Sequence, residues 1–351
     1  MRRGQRDRCS LLTLAAAVVA AAIPVASCAR HQAQPTPEPS AKPGAPPASA
    51  ASSPAPSAPP PASSSPAPPP PASSERPAQS PADSKSYAWL ATETGKALTV
   101  DGTLETRIKP PPGYSRVRLE PGSFGEWLRS LPMAPADTAV TRFDGSPSHP
   151  ADDEYIAGVI ALDIGNVDLQ QSADVLIRLH AEWLWSLGKK DAISYPGGPK
   201  LLMPLSRWEK GQRVIAQGAN VFWAVQSKPV EADYAEFRRY LDVVFTWANS
   251  ASLARRTELV PPEALTPGDF FLHTKPPGHV AIVLDIAEKP SGERLAVLGQ
   301  ALSPTESVHV IRPGRATAWF SLRPGHSVIT ARSAAFGWEE LRRLKAPEKS
   351  D

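Results

Sequence analysis

The distribution of proline limits how much of this chain can fold. Proline accounts for 41 of the 351 residues, and from Gln32 to about Ser84 the sequence is almost wholly proline, alanine and serine. Such a stretch has few large apolar side chains to bury and is expected to sample polyproline II and coil. We therefore predict a disordered tether over residues 28–85, one folded domain over residues 86–346 and a disordered tail over residues 347–351.

The first 27 residues have the pattern of a secretory signal peptide. Four arginines precede an apolar run from Leu11 to Ile23, which is too short for a comfortable transmembrane span. The run leads into Val-Ala-Ser-Cys28, which resembles a bacterial lipobox. The resemblance implies cleavage before Cys28 and lipid attachment there, with ordinary signal cleavage near the same point as the alternative. Ala29, in place of the aspartate of retained lipoproteins, favours an outer-membrane location in the cell envelope.

Removal of the signal peptide changes the charge balance and removes cysteine chemistry. The full chain has 38 Lys and Arg against 35 Asp and Glu; residues 1–27 hold four Arg and one Asp, which leaves 34 of each. A balanced mature chain gives no reason to expect a nucleic-acid partner. The two cysteines are Cys9, in the signal, and Cys28, the predicted membrane anchor. We therefore expect no thiolate, disulfide or cysteine metal ligand in the domain.

Two capping patterns and the apolar periodicity predict the helices. Ser123 and Glu126 form a capping box before a short helix, and Asp168 and Gln171 form another before a long amphipathic one. Further helices are predicted at Glu231–Trp247, from Asn249 to about Leu259 and from Trp338. Strands are predicted at Tyr155–Ile164, Val280–Leu284, Arg294–Gln300, Val308–Ile311 and Val328–Thr330. Helices followed by a meander of strands predict an α+β domain with an antiparallel sheet.

The stretch from Pro267 to Asp285 has the pattern of a buried strand that holds a catalytic base at its first residue. Residues 275–278 form a predicted tight turn, and His279 opens a strand that is apolar throughout and should be buried on both faces. A histidine at the start of a buried strand is held rigidly and can act as a general base. A histidine that merely closes a hairpin has the same pattern, so the rest of the chain must supply a partner.

Two resemblances supply that partner. Helices followed by strands, with His279 heading one strand and Gln300 ending the next, are similar to the papain-type arrangement of cell-wall amidases and endopeptidases. The chain is also identified as a member of the bacterial family called domain of unknown function 4846, which brings no established activity. Its motifs here are Pro-Pro-Gly-Tyr114, Ser-Phe-Gly-Glu-Trp-Leu-Arg129, Asp-Leu-Gln-Gln171, Arg-Leu-His-Ala-Glu-Trp-Leu-Trp185 and Pro-Gly-His279-Val-Ala-Ile-Val.

The family pattern typically has cysteine after the paired glutamines, where this chain has Ser172. The resemblance implies a papain-like domain, with helices packed on an antiparallel sheet, and an acyl-transfer hydrolase acting on envelope peptides or peptidoglycan. Because a helix dipole cannot activate a serine hydroxyl alone, His279 would have to take its proton during attack. The implied roles are nucleophile for Ser172, base for His279, orienter for Gln300, oxyanion donor for Gln170 or Gln171, and support for Asp269.

A serine in a first helical turn is also a common structural feature. The alternative is therefore a non-catalytic binding module of the cell envelope on the same scaffold. No cofactor or metal is expected, because the sequence has no phosphate-binding glycine motif and no paired histidine ligands. His180 falls on the apolar face of the long helix and is predicted to be a core residue. The tryptophans are predicted to pack in the core rather than to line a glycan groove.

Overall fold

The computed structural model describes residues 85–198, 200–218, 220–330 and 335–345. The predicted signal peptide, Cys28, the tether as far as residue 84 and the tail at 347–351 lie outside these residues. In the described part of the chain, no helix is long and apolar enough to cross a membrane.

The helices and strands alternate irregularly along the described chain. The helices are α1 (Glu93–Lys96), α2 (Leu104–Arg107), α3 (Phe124–Arg129), α4 (Ser172–Ser186), α5 (Leu205–Glu209), α6 (Tyr234–Trp247) and α7 (Ser250–Ala254). The strands are β1 (Ser115–Arg116), β2 (Val140–Thr141), β3 (Pro147–His149), β4 (Ile156–Val159), β5 (Ser194–Pro196), β6 (Leu202–Pro204), β7 (Gln212–Gln217), β8 (Asn220–Val225), β9 (Thr257–Leu259), β10 (Phe270–His273), β11 (His279–Glu288), β12 (Arg294–Gln300), β13 (His309–Ile311), β14 (Phe320–Leu322), β15 (Val328–Ile329), β16 (Ala335–Phe336) and β17 (Leu341–Leu344). Single 3-10 turns lie at Ala88–Ala91, Lys190–Ala192, Pro262–Ala264 and Trp338–Glu340.

One antiparallel sheet organises the domain, and β11 lies near its middle. The strand order is β4-β13-β12-β11-β10-β17-β9, with β1 added to β11 and β14 added to β12. The pairs of strands β2–β3, β5–β6, β7–β8 and β15–β16 form separate hairpins. Helices and an antiparallel sheet confirm the predicted α+β class.

Both faces of β11 are covered, as its uninterrupted apolar sequence predicted. Val280, Ile282 and Leu284 belong to the main core with the helices. Ala281 and Val283 belong to a second core on the other face, together with residues of β16 and β17. Helix α4 packs in the main core, and its Arg178 and Glu182 side chains form a fully buried ion pair (2.7 Å).

The structure corrects several predicted boundaries. The long helix begins at Ser172 with Gln171 as its N-cap, because the Asp168 side chain instead accepts hydrogen bonds from Gln171 Nε2 (3.0 Å) and the Thr305 amide (2.7 Å). The predicted terminal helix is a single turn at Trp338–Glu340 followed by strand β17.

Three other elements are also shorter than predicted. The third helix ends at Ala254, since residues 257–259 pair with β17 as strand β9. Helix α6 begins at Tyr234, where the Asp233 carboxylate caps the Glu236 amide at 2.8 Å. The strand predicted at Tyr155–Ile164 is confined to Ile156–Val159.

Candidate active site

The first residue of α4 meets the first residue of β11. Ser172 Oγ lies 2.8 Å from His279 Nδ1 and also accepts a hydrogen bond from the Val280 amide at 2.9 Å. Ser172 and His279 are each 7% exposed. Two residues that are 107 positions apart in the chain are therefore in direct contact.

Gln300 completes a row of three side chains. The antiparallel pairing of β11 with β12 brings the end of β12 beside the start of β11. His279 Nε2 lies 3.0 Å from Gln300 Oε1. Because an amide oxygen only accepts, His279 Nε2 carries the hydrogen and Nδ1 is the acceptor for the Ser172 hydroxyl. Burial is the main cause that lowers the pKa of His279, with the Gln300 bond acting in the opposite direction, so the ring is neutral at pH 7.

A close contact behind the turn fixes where His279 enters the sheet. The turn at residues 274–278 joins β10 to β11, whose paired residues include His273 and His279. A Cβ on Gly278 would lie 2.2 Å from Ser250 Oγ and 2.6 Å from Ser250 Cβ. Glycine is thus needed for the turn to pack against the start of α7, and this packing holds the residue before His279.

An open pocket of about 630 Å³ gives access to the pair formed by Ser172 and His279. Its walls are the 274–278 turn, Leu302, Ser303 and a second polar pair formed by His273 and Glu340. The rings of His273 and His279 both stack on Phe336, at centroid distances of 4.5 and 5.8 Å. A ligand in this pocket would meet apolar groups of Leu302 and of the two prolines in the turn, together with several hydrogen-bonding groups.

The two glutamines before Ser172 have different surroundings. Gln171 accepts from Ser303 Oγ at 2.9 Å, so its amide reaches the edge of the pocket. Gln170 is buried, accepts from Arg178 Nη1 at 3.0 Å and lines a separate cavity of about 80 Å³. Of the two predicted oxyanion donors, only Gln171 lies near the site, but its Nε2 donates to Asp168 Oδ1 at 3.0 Å. The backbone N–H of Ser172, at the first position of α4, has no intrahelical acceptor and is a second candidate.

Asp269 is not brought to the site. Its carboxylate receives two hydrogen bonds from Arg343, at 2.6 and 2.9 Å, and one from the Thr266 amide at 2.8 Å. It borders a different pocket of about 750 Å³ that is lined by Phe124, His180 and Trp183. The predicted supporting role of Asp269 is therefore structural: it fixes the loop that leads into β10.

A second buried histidine, His309, was missed by sequence reasoning. It lies opposite Gln300 in the β12–β13 register, with Gln300 Nε2 3.5 Å from His309 Nε2. Its Nδ1 lies 3.0 Å from the Ser307 carbonyl oxygen. The sequence places His309 in one predicted strand and Gln300 at the end of another. Only the pairing of these two strands shows that the two side chains meet.

Two other polar side chains, those of His180 and Ser252, have structural roles. His180 packs against Phe124 and Trp183, contacts the Tyr195 hydroxyl at 2.8 Å, and has its pKa lowered to about 4 by burial. Ser252 Oγ caps α7 by accepting from the Asn249 amide at 2.9 Å. Among the described residues, no group of three or more potential ligands is placed to hold a metal ion.

Comparison with known proteins gives one match. Neither a curated protein nor a solved structure matches the chain significantly. The model of a protein family described as "Domain of unknown function (4846)" matches residues 104–343, which include Ser172, His279 and Gln300. This chain therefore belongs to the family of domain of unknown function 4846.

Proposed function

We propose that the domain is a hydrolase of amide bonds in which Ser172 is the nucleophile. The observation that carries the proposal is the contact of Ser172 Oγ with His279 Nδ1 at 2.8 Å, with Gln300 on the opposite ring nitrogen at 3.0 Å. A hydroxyl, an acceptor nitrogen and an orienting group in this order make up the arrangement of a serine hydrolase. The pocket in front of them supplies room for a substrate carbonyl.

The reaction would follow ordinary acyl transfer. Ser172 Oγ attacks the amide carbon while its proton passes to His279 Nδ1, and the negative oxygen is stabilised by the backbone N–H of Ser172. His279 then gives the proton to the leaving amine, which breaks the C–N bond. A water molecule, deprotonated by His279, hydrolyses the acyl-serine and restores the hydroxyl.

The arrangement resembles the papain-type order of groups with serine in place of cysteine. The nucleophile begins a central helix, the histidine begins a strand that crosses it, and the amide side chain lies on the adjacent strand. We propose on this basis that the domain is papain-like. The predicted lipid anchor and tether would hold it in the cell envelope, where peptides and peptidoglycan stems are the available amide substrates.

A non-catalytic binding module is the second candidate, and one observation favours it. The Val280 amide donates to Ser172 Oγ at 2.9 Å, so the hydroxyl both donates and accepts within the protein. Such a hydroxyl joins α4 to β11 as a structural cross-link would. In that case the pocket would bind an envelope peptide without cleaving it.

Labelling and cleavage assays distinguish these functions. The chain from Ala29 onward is incubated with purified sacculi and, separately, with a fluorophosphonate acyl probe. We expect release of peptide fragments and labelling, both abolished in Ser172→Ala. Ser186→Ala, at the other end of α4, is the matched control and should behave like the wild type. Activity that survives Ser172→Ala would refute the nucleophile, and sacculus binding without cleavage or labelling would favour the binding module.

The anchor itself is tested separately. Cells expressing the full chain are fed a radioactive or alkyne-tagged fatty acid. We expect the label to appear on the protein and to be lost in Cys28→Ala, together with its recovery in the membrane fraction. Retention of the label in Cys28→Ala would exclude lipidation at this residue.

A further inference from the structure

The hydrogen-bond row at the site continues past Gln300 and ends on a backbone carbonyl. Gln300 and His309 are 2% and 1% exposed, so both side chains are shielded from solvent. The links are His279 Nε2 to Gln300 Oε1, Gln300 Nε2 to His309 Nε2, and His309 Nδ1 to the Ser307 oxygen. The middle link, at 3.5 Å, is the longest.

The Ser307 oxygen fixes the direction of every bond in this row. A carbonyl oxygen only accepts, so His309 Nδ1 must carry a hydrogen. Burial lowers the pKa of His309, which keeps its ring neutral and leaves Nε2 as an acceptor. Gln300 must then turn its NH2 group toward His309 and its oxygen toward His279. That oxygen places the hydrogen of His279 on Nε2 and leaves Nδ1 unprotonated.

We propose that His309 is a positioning residue that selects the tautomer of His279. The carboxylate of Glu306 is not the hydrogen-bond acceptor of His309 Nδ1. Its Oε1 lies 3.7 Å from that nitrogen and instead accepts from the Leu302 amide at 2.9 Å. Loss of His309 removes an acceptor that favours this orientation of the Gln300 amide, so the amide can turn over more readily and offer its NH2 group to His279. The hydrogen of His279 would then move to Nδ1, which could no longer accept a proton from Ser172.

The structural part of this inference is independent of catalysis, whereas its kinetic part rests on the proposed hydrolase function. Four variants separate the contributions. His309→Phe removes both ring nitrogens. His309→Asn keeps a donor for the Ser307 oxygen, but its shorter side chain places no acceptor at the position of Nε2, whereas the longer His309→Gln side chain can place its amide oxygen there. His149→Phe is the matched control: His149 is a buried histidine whose ring lies 5.9 Å from the His309 ring and whose nitrogens lie 3.7 Å from carboxylate oxygens of Asp153 and Glu306.

The readout is the ¹⁵N spectrum of histidine side chains in the folded protein, assigned to His279 by a His279→Gln spectrum. In the wild type we expect a protonated Nε2 and an unprotonated Nδ1. His309→Phe and His309→Asn should give a mixed or reversed tautomer, while His309→Gln and His149→Phe should keep the wild-type pattern. Wild-type signals in folded His309→Phe or His309→Asn, or an equal change in His149→Phe, would overturn the inference.

Kinetics add a second test if the wild type cleaves a substrate. We expect kcat to fall about tenfold in His309→Phe with little change in KM, because orientation of the base affects the chemical step rather than binding. An unchanged kcat would overturn the positioning role while leaving Ser172 as nucleophile. If the wild type cleaves nothing, the proposed function fails and the tautomer measurement alone decides the role of His309.

Discussion

The Ser172 hydroxyl makes two hydrogen bonds, to His279 and to the Val280 amide. The same surroundings would lower the pKa of a thiol at this position. The site lies at the amino terminus of α4 and next to His279, and both features lower the pKa of a cysteine below its ordinary value of about 8.5. A serine hydroxyl stays protonated there until a base takes its proton as the oxygen attacks. With serine at this position, the proposed catalysis would therefore depend wholly on His279.

Ser172→Cys is expected to create a reactive thiol. In the chain from Ala29 the introduced residue is the only cysteine, since the natural ones are Cys9 and Cys28. The rate of alkylation by iodoacetamide, measured against pH, should give a thiol pKa at least about one unit below 8.5. Ser186→Cys, at the opposite end of α4, is the control and should lack this shift. A pKa in Ser172→Cys no lower than in the control would contradict the proposed pairing with His279.

The lowered pKa of His180 predicts how the free energy of unfolding depends on pH. Burial lowers its pKa to about 4 in the folded state, whereas the unfolded value is about 6.5. The unfolded chain therefore binds the extra proton first, so the free energy of unfolding should fall as pH drops below about 6.5. Because the ring is partly exposed, we expect His180 to contribute a loss of about 1 to 2 kcal/mol between pH 6.5 and pH 5.

Urea unfolding between pH 5 and pH 7.5 measures this effect. The buried His279 and His309, whose pKa values are also lowered, add to the slope. His180→Phe should reduce the slope without removing it. The matched control, Trp183→Phe in the same aromatic cluster, should lower stability by a similar amount at every pH. Equal slopes in wild type and His180→Phe would show that His180 does not titrate in this way.

At the scale of elements, sequence patterns predicted correctly those segments whose structure depends on residues close together in the chain. The run Val280–Leu284 is apolar without interruption, and it forms part of a strand buried on both faces as expected. A helix was predicted from Trp338, yet strand pairing with β10 and β9 outweighs the helical pattern after a single turn. The Ser172–His279 pair followed from a family resemblance, whereas His309 required the register of β12 against β13, which no local pattern contains.

The turn between β10 and β11 offers a test of how the elements position the base. Gly278→Ala should destabilise the domain by about 1 to 3 kcal/mol and reduce labelling of Ser172, because the added Cβ meets Ser250 at 2.2 to 2.6 Å. Ser250→Gly in the same chain should restore most of both losses. Gly314→Ala is the control, since a Cβ there meets nothing within 4 Å. Strictly additive effects of Gly278→Ala and Ser250→Gly would show that the contact does not constrain the turn.

At the scale of the whole molecule, the folded unit begins before the family match does. The match starts at residue 104, but Trp89 is fully buried in the main core and donates from Nε1 to the Ala161 carbonyl at 2.8 Å. Tyr87 donates to the Trp127 carbonyl at 2.9 Å, and Trp127 donates to the Ser86 carbonyl at 2.8 Å. These contacts tie residues 86–89 to α3 and to the chain after β4.

Removal of the segment that contains residues 86–89 should therefore lower the free energy of unfolding by a large fraction. A chain beginning at Leu98 keeps the Thr103 cap of α2 but lacks Tyr87 and Trp89, and loss of one buried tryptophan alone costs about 3 to 5 kcal/mol. Since domains of this kind are stable by only about 5 to 15 kcal/mol, we expect the shortened chain to be partly unfolded at 37 °C. Urea unfolding would measure the free energy of unfolding of the chain beginning at Leu98, of Trp89→Ala and of a chain beginning at Lys85. The chain beginning at Lys85 should be as stable as the chain beginning at Ala29. Equal stability of the chains from Lys85 and from Leu98 would place the domain boundary at the start of the family match.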